Sequence, residues 1–392
     1  MRSAFSIQTV MLIPILIVLS LSPHARAIDT EALCETPGNW IIPSHQTSTI
    51  TAHPTIMKSV SSADFVLLGE QHNLPNHHRW QTQMLATLLA QKEKIAIGLE
   101  MLPQSSQQSL DAWVSGELTL EEFISQSEWY DTWRFDIELY TPILRFARDN
   151  RVPLFALNVP GDLISAVSAN GWENGSTGFE AYISKPSPAS DRYKNDLVEI
   201  FEQHDGSDEK QIEHFVEAQL VWDRAFAEGL VRAREKTSRL VVGIIGSGHL
   251  TYGHGVKHQL NSLGEYQTTT WIPTESGDSC EALTLSNDGV GIADAIFVIA
   301  KGIDERSKHK LGIFLINSEG GVVVGDVLEN SIAQEAGIET NDVIIEAAGQ
   351  QILNSANLVR LIQDQAPGYW LPLKVKRGTQ VIEILAKIPL QN

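Results

Sequence analysis

Four apolar runs of similar length punctuate the chain, and each passes directly into polar residues. Phe65-Val66-Leu67-Leu68 leads into Gly69-Glu70-Gln71-His72, and Ile95-Ala96-Ile97-Gly98-Leu99 leads into Glu100. Val152 to Leu157 leads into Asn158, and Leu240 to Ile245 leads into Gly246-Ser247-Gly248-His249. Apolar runs without polar alternation fit strands buried on both faces. Stretches of helical periodicity separate them. One opens at Asn76 and reaches about Gln91, a second starts at Pro103 and reaches Trp113, and a third starts or is kinked at Thr141-Pro142 and ends near Asn150. A long one covers about Gln211 to Lys236, with Ile212, Phe215, Val216, Leu220 and Phe226 on one stripe. Strand and helix in alternation predict an α/β fold, a mostly parallel sheet flanked by helices. Ligands of such sheets bind beyond the carboxyl ends of the strands, where all four polar clusters fall.

The texture changes near Lys310. Short β-type runs (Ile313 to Ile316, Val322 to Val324, Val343 to Ile345, Leu371 to Val375, Val381 to Leu385) surround one helical stretch, Ser355 to Gln363. They predict a small, mostly-β domain. Residues 28–62 are mixed and read as an extended lead-in. Residues 160–205, rich in Ser, Gly, Asn and Pro, read as a loop-rich insertion, helical around Tyr193 to Phe201 and either a cover over the site or a surface excursion.

The first residues have a different character. Arg2, the short apolar run Val10 to Leu21 and Ala25-Arg26-Ala27 form the pattern of a secretory signal removed after Ala27. The expected organisation is a signal peptide over 1–27, an α/β domain over 28–305 and a β domain over 306–392, in a periplasmic or secreted protein. Cleavage takes away Arg2 and Arg26 and no acid, moving the net charge from -19 to -21. So acidic a chain, with no basic stripe, is repelled by phosphate backbones, which argues against nucleic-acid binding. The two cysteines, Cys34 and Cys280, read in an oxidising compartment as one disulfide, against the alternative of two buried thiols.

His72 and His249 each close a Gly-x-x-His tetrad after a buried strand, and Glu100 closes a third strand. Two imidazoles and a carboxylate can hold a divalent metal such as zinc with one position left open, and a metal-bound water becomes a nucleophile near neutral pH. His72, Glu100 and His249 are therefore candidate metal ligands. Glu70 is a candidate catalytic base, or a residue that orients a ligand histidine. His77 and His78 open the following helix and could line the same pocket or be solvated. Gln219 and Asp223 share a face of the long helix, read as polar contacts to the sheet. Trp129, Tyr130, Trp133, Phe135 and Tyr140 form an aromatic cluster that suits core packing or a flat apolar cofactor.

Taken together, Leu68-Gly69-Glu70-Gln71-His72, Asn76-His77-His78, Gly98-Leu99-Glu100-Met101, Trp133 with Asp136 and Tyr140, Ala156-Leu157-Asn158, Ala218-Gln219 with Trp222-Asp223, and Gly246-Ser247-Gly248-His249 resemble the ChaN-like haem-binding group of the Tiki superfamily. The resemblance covers about residues 60–300. It implies an envelope protein tied to haem or iron uptake, iron held through a tyrosine, and a homodimer. Tyr130, Tyr140 and Tyr252 are the candidate tyrosines, with His77 and His78 beside them. Related Tiki proteins look like metal-dependent peptidases, which keeps a hydrolase reading open. The end of the chain resembles a bacterial PDZ domain. Lys310-Leu311-Gly312-Ile313 stands at its carboxylate-binding loop, so Leu311, Gly312 and Ile313 are candidate contacts for a peptide or protein C-terminus. Asn341 stands where glycine is commoner and suits a left-handed turn.

Overall fold

The computed structural model describes residues 34, 36–44, 48–92, 94–202, 209–277, 285, 289–302, 310–318, 320–363 and 365–390. The proposed signal peptide, Cys280 and the expected junction at 305/306 lie outside them. Cys34 is buried and disulfide-bonded.

The α/β fold read from the apolar runs is what the chain adopts. An eight-stranded sheet has the order β2-β1-β8-β7-β3-β6-β4-β5, where β1 is Trp40–Ile42, β2 Thr49–Thr51, β3 Phe65–Glu70, β4 Ile95–Pro103, β5 Leu154–Asn158, β6 Leu240–Gly246, β7 Thr268–Glu275 and β8 Ala295–Ile299. From β8 to β5 all neighbours are parallel. The β1–β2 hairpin extends the β8 edge antiparallel. The helices that matter for the site are α1 Pro75–Lys92, α2 Gln107–Ser115, α3 Ile137–Asp149, α4 Asp191–Glu202, α5 Glu209–Thr237 and α6 Val256–Leu263.

Strand alternation divides the apolar runs between two cores. Val66, Leu68, Ile95, Ile97, Val242 and Ile244 face Met84, Leu85 and Leu88 of α1 and Ile143 and Leu144 of α3. Phe65, Leu67, Ala96, Val241 and Ile245 face Val221, Ala225 and Leu230 of α5 and Leu260 of α6. The sheet is thus covered on both faces, which leaves its carboxyl edge as the place where strand-end side chains can meet a ligand.

Three local expectations shift. The lead-in is not merely extended, because Trp40–Ile42 pairs with β8 and carries the fully buried Ile41. Pro103 ends β4, which pairs with β5 as far as Asn158, and it stands just before the helical stretch rather than in its first turn: a 3-10 turn over Gln104–Ser106 follows it and runs into α2. Asp136 caps α3 by accepting from the Glu138 N–H, so that helix starts before Pro142 and contains it.

The second unit is an antiparallel sheet of order β14-β13-β11-β10-β9, with β12 on β11. Its strands are β9 Ile313–Ser318, β10 Gly321–Val327, β11 Val343–Ala347, β12 Gln350–Gln351, β13 Trp370–Arg377 and β14 Gln380–Lys387, with short helices α7 Ile332–Ala336 and α8 Ser355–Gln363. Asn341 turns with φ 71°. Gly312 has φ 79°, and a Cβ there would collide with Ser331. Asp342 is buried and takes Arg377 in a two-pronged pair, Nε to Oδ1 at 2.8 Å and Nη2 to Oδ2 at 2.7 Å. Burial raises the pKa of Asp342, but Arg377 and the Glu339 N–H outweigh it and hold the carboxyl below its ordinary value. Asp342→Asn should therefore cost about 2 kcal/mol in urea unfolding. Because the folded pKa is depressed, that contribution is present above the ordinary Asp value of 3.8 and fades as pH falls through the folded one.

Candidate functional site

Sheet order assembles the site. β3, β6 and β4 are neighbours, with Glu70 opposite Gly246 and Leu99 opposite Ile244 in register. Glu70 and Glu100 therefore flank Gly246 at the same level of the carboxyl edge. Glu100 Oε2 accepts the Gly246 N–H at 2.8 Å. A Cβ on Gly246 would sit 2.7 Å from His72 Cε1, so glycine is what lets this imidazole lie over β6.

His72 Nδ1 lies 2.8 Å from Glu70 Oε1 and 3.4 Å from Glu100 Oε1. Glu70 is engaged through one oxygen: Tyr140 OH donates to Oε1 at 2.7 Å, while Oε2 lies 3.0 Å from His78 Nδ1 without a hydrogen bond. The Nε2 of His78 meets the carbonyl of His72 at 3.1 Å, so that nitrogen carries a proton. Nearby, His249 Nδ1 is 2.8 Å from Asp223 Oδ1, and Tyr193 OH donates to Asp223 Oδ2 at 2.8 Å. These contacts settle the tautomers. His72 and His249 each turn an N–H at Nδ1 to a buried carboxylate, which leaves Nε2 as the free lone pair when the ring is neutral. The carboxylates are sealed, while the His72 and His249 side chains keep 31% and 20% of their surface in solvent. The edge thus presents two oriented nitrogen donors on a buried acidic base.

The charges are strongly perturbed. Burial opposes ionisation of Glu70, but the hydrogen bonds and charges of His72 and His78 outweigh it and bring its pKa down to about 2. Burial dominates at Glu100 and raises it to about 6, with His72 and His249 pulling the other way. Burial would lower both histidines, yet Glu70 and Glu100 raise His72, and Asp223 raises His249.

The residues expected from sequence separate into groups. Glu70, His72 and Glu100 offer ligand atoms within 4.8 Å of one another, enough to hold a metal ion. Glu70 thus enters the ligand-distance group rather than standing apart as a base, and His249 lies outside that group, paired with Asp223. His77 and His78 do not line a pocket: both are buried, and His77 Nδ1 accepts the Gln71 N–H at 3.0 Å. Tyr140 is buried, and burial and Glu70 hold its hydroxyl protonated far above the ordinary range. The Tyr130 hydroxyl accepts the Ile137 N–H at 3.4 Å. Tyr252 sits in the loop after β6, partly exposed, with φ 55°, and its hydroxyl makes no hydrogen bond to a described residue. Arg192 of α4 lies over its ring, 5.0 Å from the centroid. The insertion is therefore docked on the site loop through Arg192 and Tyr193. Trp133 and Phe135 pack on His72 with ring centroids at 4.7 and 5.2 Å, forming an apolar wall.

In the β unit, Leu311 is buried, so what it offers a ligand is its backbone. The sheet order leaves β9, which follows Leu311 and Gly312, at an edge.

A family model described as "Haem-binding uptake, Tiki superfamily, ChaN" matches residues 56–260, just over half of the chain, and a PDZ domain model matches residues 310–388. A solved structure titled as cofacial haem binding to ChaN of Campylobacter jejuni is similar with a TM-score of 0.50 and 17% identity, over 67% of this chain and 98% of that one. At that identity the likeness is one of fold. A curated relative, the probable periplasmic serine endoprotease DegP-like of Hahella chejuensis (strain KCTC 2396), is 30% identical over 86 residues, 22% of this chain. The chain spans under a fifth of that relative's length, 18%. The HtrA3 PDZ domain bound to a phage-derived ligand is 23% identical, with a TM-score of 0.19 over 20% of this chain and 84% of that one.

Proposed function

The chain belongs to the haem-binding uptake family of ChaN in the Tiki superfamily, and from that premise we propose that it binds haem at the carboxyl edge of its parallel sheet and docks a partner through its PDZ domain. The observation that carries this reading is the chemistry of the carboxyl edge: the oriented imidazoles of His72 and His249, the half-buried aromatic wall of Trp133 and Phe135 against His72, and, in the loop that follows His249, Tyr252, whose hydroxyl makes no hydrogen bond to a described residue. A haem needs an axial oxygen or nitrogen donor and an apolar face, and these residues fit both needs. Haem supplies a ferric iron whose axial ligation is read directly in its absorbance. The PDZ domain would take a peptide or protein C-terminus as an added strand on β9, with Leu311, Gly312 and Ile313 giving backbone to its carboxylate. Export to the cell envelope agrees with the signal-like first 27 residues and with a relative named as periplasmic.

Titration with hemin tests the ligand assignment. Tyr252→Phe should weaken the Soret shift and change its position, whereas Tyr130→Phe should leave both as in the unmodified chain. An unchanged titration with Tyr252→Phe would remove Tyr252 from the site.

A second reading has one specific observation in its favour. Glu70, His72 and Glu100 are close enough to share a divalent ion, and a metal held there would supply an acidified water for hydrolysis. In that case Glu70 would be a ligand, and His249, oriented by Asp223, would be the residue able to hold a proton at Nε2.

A further inference from the structure

A cleft of about 340 Å³ opens along the outer side of α5, where residues 180–184 of the insertion cross it and Leu263 ends α6. None of the strand-edge residues lines it. Its volume falls at the small end of the range for small-molecule sites, about 300–1,000 Å³. Its walls are apolar at Ile183, Val231 and Leu263.

One side chain in the cleft has no hydrogen-bond partner among the described residues. Arg232 is half-buried, its Nη2 is sealed from solvent without a hydrogen-bond partner, and it makes no hydrogen bond or ion pair with a described residue. A guanidinium offers five N–H donors, and leaving them unmet in a desolvated place is costly. Burial depresses its pKa, and the charge of Glu228 only partly offsets that. The acids that line the same cleft are committed elsewhere. Glu228 Oε1 takes Arg224 Nε at 2.9 Å and the Ser184 N–H at 3.2 Å. Glu180 Oε1 takes the Gly178 N–H of its own turn at 3.1 Å. The cleft therefore keeps an unanswered cation against an apolar wall.

We propose that this cleft binds a small monocarboxylic acid with an apolar body, its carboxylate paired with Arg232 and its body against Ile183, Val231 and Leu263. A planar carboxylate matches the guanidinium fork. A single negative charge is the most that suits the surroundings, because Glu180, Glu228 and the chain's net charge of -19 repel a multiply charged phosphate. The site is independent of the haem reading.

Calorimetric titration of the purified protein with octanoate and with phenylacetate tests this, with octanol and phenylacetamide as neutral counterparts. One of the two acids should bind saturably, one per chain, and its neutral counterpart should not. Arg232→Gln should weaken binding by about tenfold or more, the effect of losing a charged hydrogen-bond partner. Val231→Phe should abolish binding by filling the cleft with Arg232 still present, and His72→Ala should leave it unchanged. Circular dichroism checks that each variant is folded. Failure of both acids to bind, or equal binding to Arg232→Gln, would overturn the proposal.

Discussion

Replacing Glu70 with alanine should destabilise the metal-free protein by about 3–5 kcal/mol, the cost of breaking a buried charged pair from one side. The loss strands two donors at once, Tyr140 OH and His72 Nδ1, both within 2.8 Å of this one carboxylate. Glu70→Gln should cost only about 1–2 kcal/mol. Its amide oxygen can keep Tyr140 and His72, and its N–H can donate to His78 Nδ1, which is free to accept because Nε2 carries the proton. The difference between wild type and Glu70→Gln should also depend on pH. Glu70 titrates low, so its contribution is present above the ordinary value of 4.5 and is lost as pH falls through about 2. His72 titrates high, so its share is fully present below 6.5 and is lost as pH rises through its raised value. Chemical unfolding at a series of pH values should show the largest difference between 4.5 and 6.5. A flat difference would mean that the pair is not ionised.

Asp223→Ala should cost about 3 kcal/mol, since it leaves His249 Nδ1 and the buried Tyr193 hydroxyl without their acceptor. It should also loosen α4, which reaches the site loop through Tyr193. Asp223→Asn separates charge from shape. The amide oxygen can still accept from His249, but the charge that raises His249 is gone. The His249 titration followed by NMR should therefore move down in Asp223→Asn with the fold retained. No movement would show that Asp223 does not set the state of this imidazole.

The polar clusters at the strand ends were legible in the sequence because a doubly covered parallel sheet writes its strands as unbroken apolar runs, and the first polar residue after each run marks the edge. Which clusters meet was not legible. Glu70, Gly246 and Glu100 converge because β6 inserts between β3 and β4, and no local pattern encodes strand order. The partners of the histidines were harder still. Tyr140 and Asp223 come from α3 and α5, far along the chain, and although both stand out in the sequence, no local pattern says which histidine each one meets. One signal was available: Asp223 shares a stripe of α5 with Phe226, Ala227 and Leu230, all buried, where an unpaired carboxylate is not tolerated, so a cationic or donor partner was required. The hairpin β1–β2 leaves no mark in the sequence because three-residue strands carry no periodicity, and Trp40–Ile42 finds its partner, β8, some 250 residues away. In the PDZ domain, by contrast, Gly312 and Asn341 mark turns that need positive φ, and both adopt it.

In the proposed function the strand edge binds haem, and the acidic pocket beneath it orients the imidazoles. Absorbance titration of the purified, chelator-treated protein with hemin, alongside metal analysis of the untreated protein, tests this most directly. Haem binding at the edge should give a saturable Soret shift with a fixed stoichiometry and no tightly held metal before treatment. The absence of a shift, together with a stoichiometric divalent metal that is lost in His72→Ala, would contradict it and make the Glu70, His72 and Glu100 cluster a metal centre.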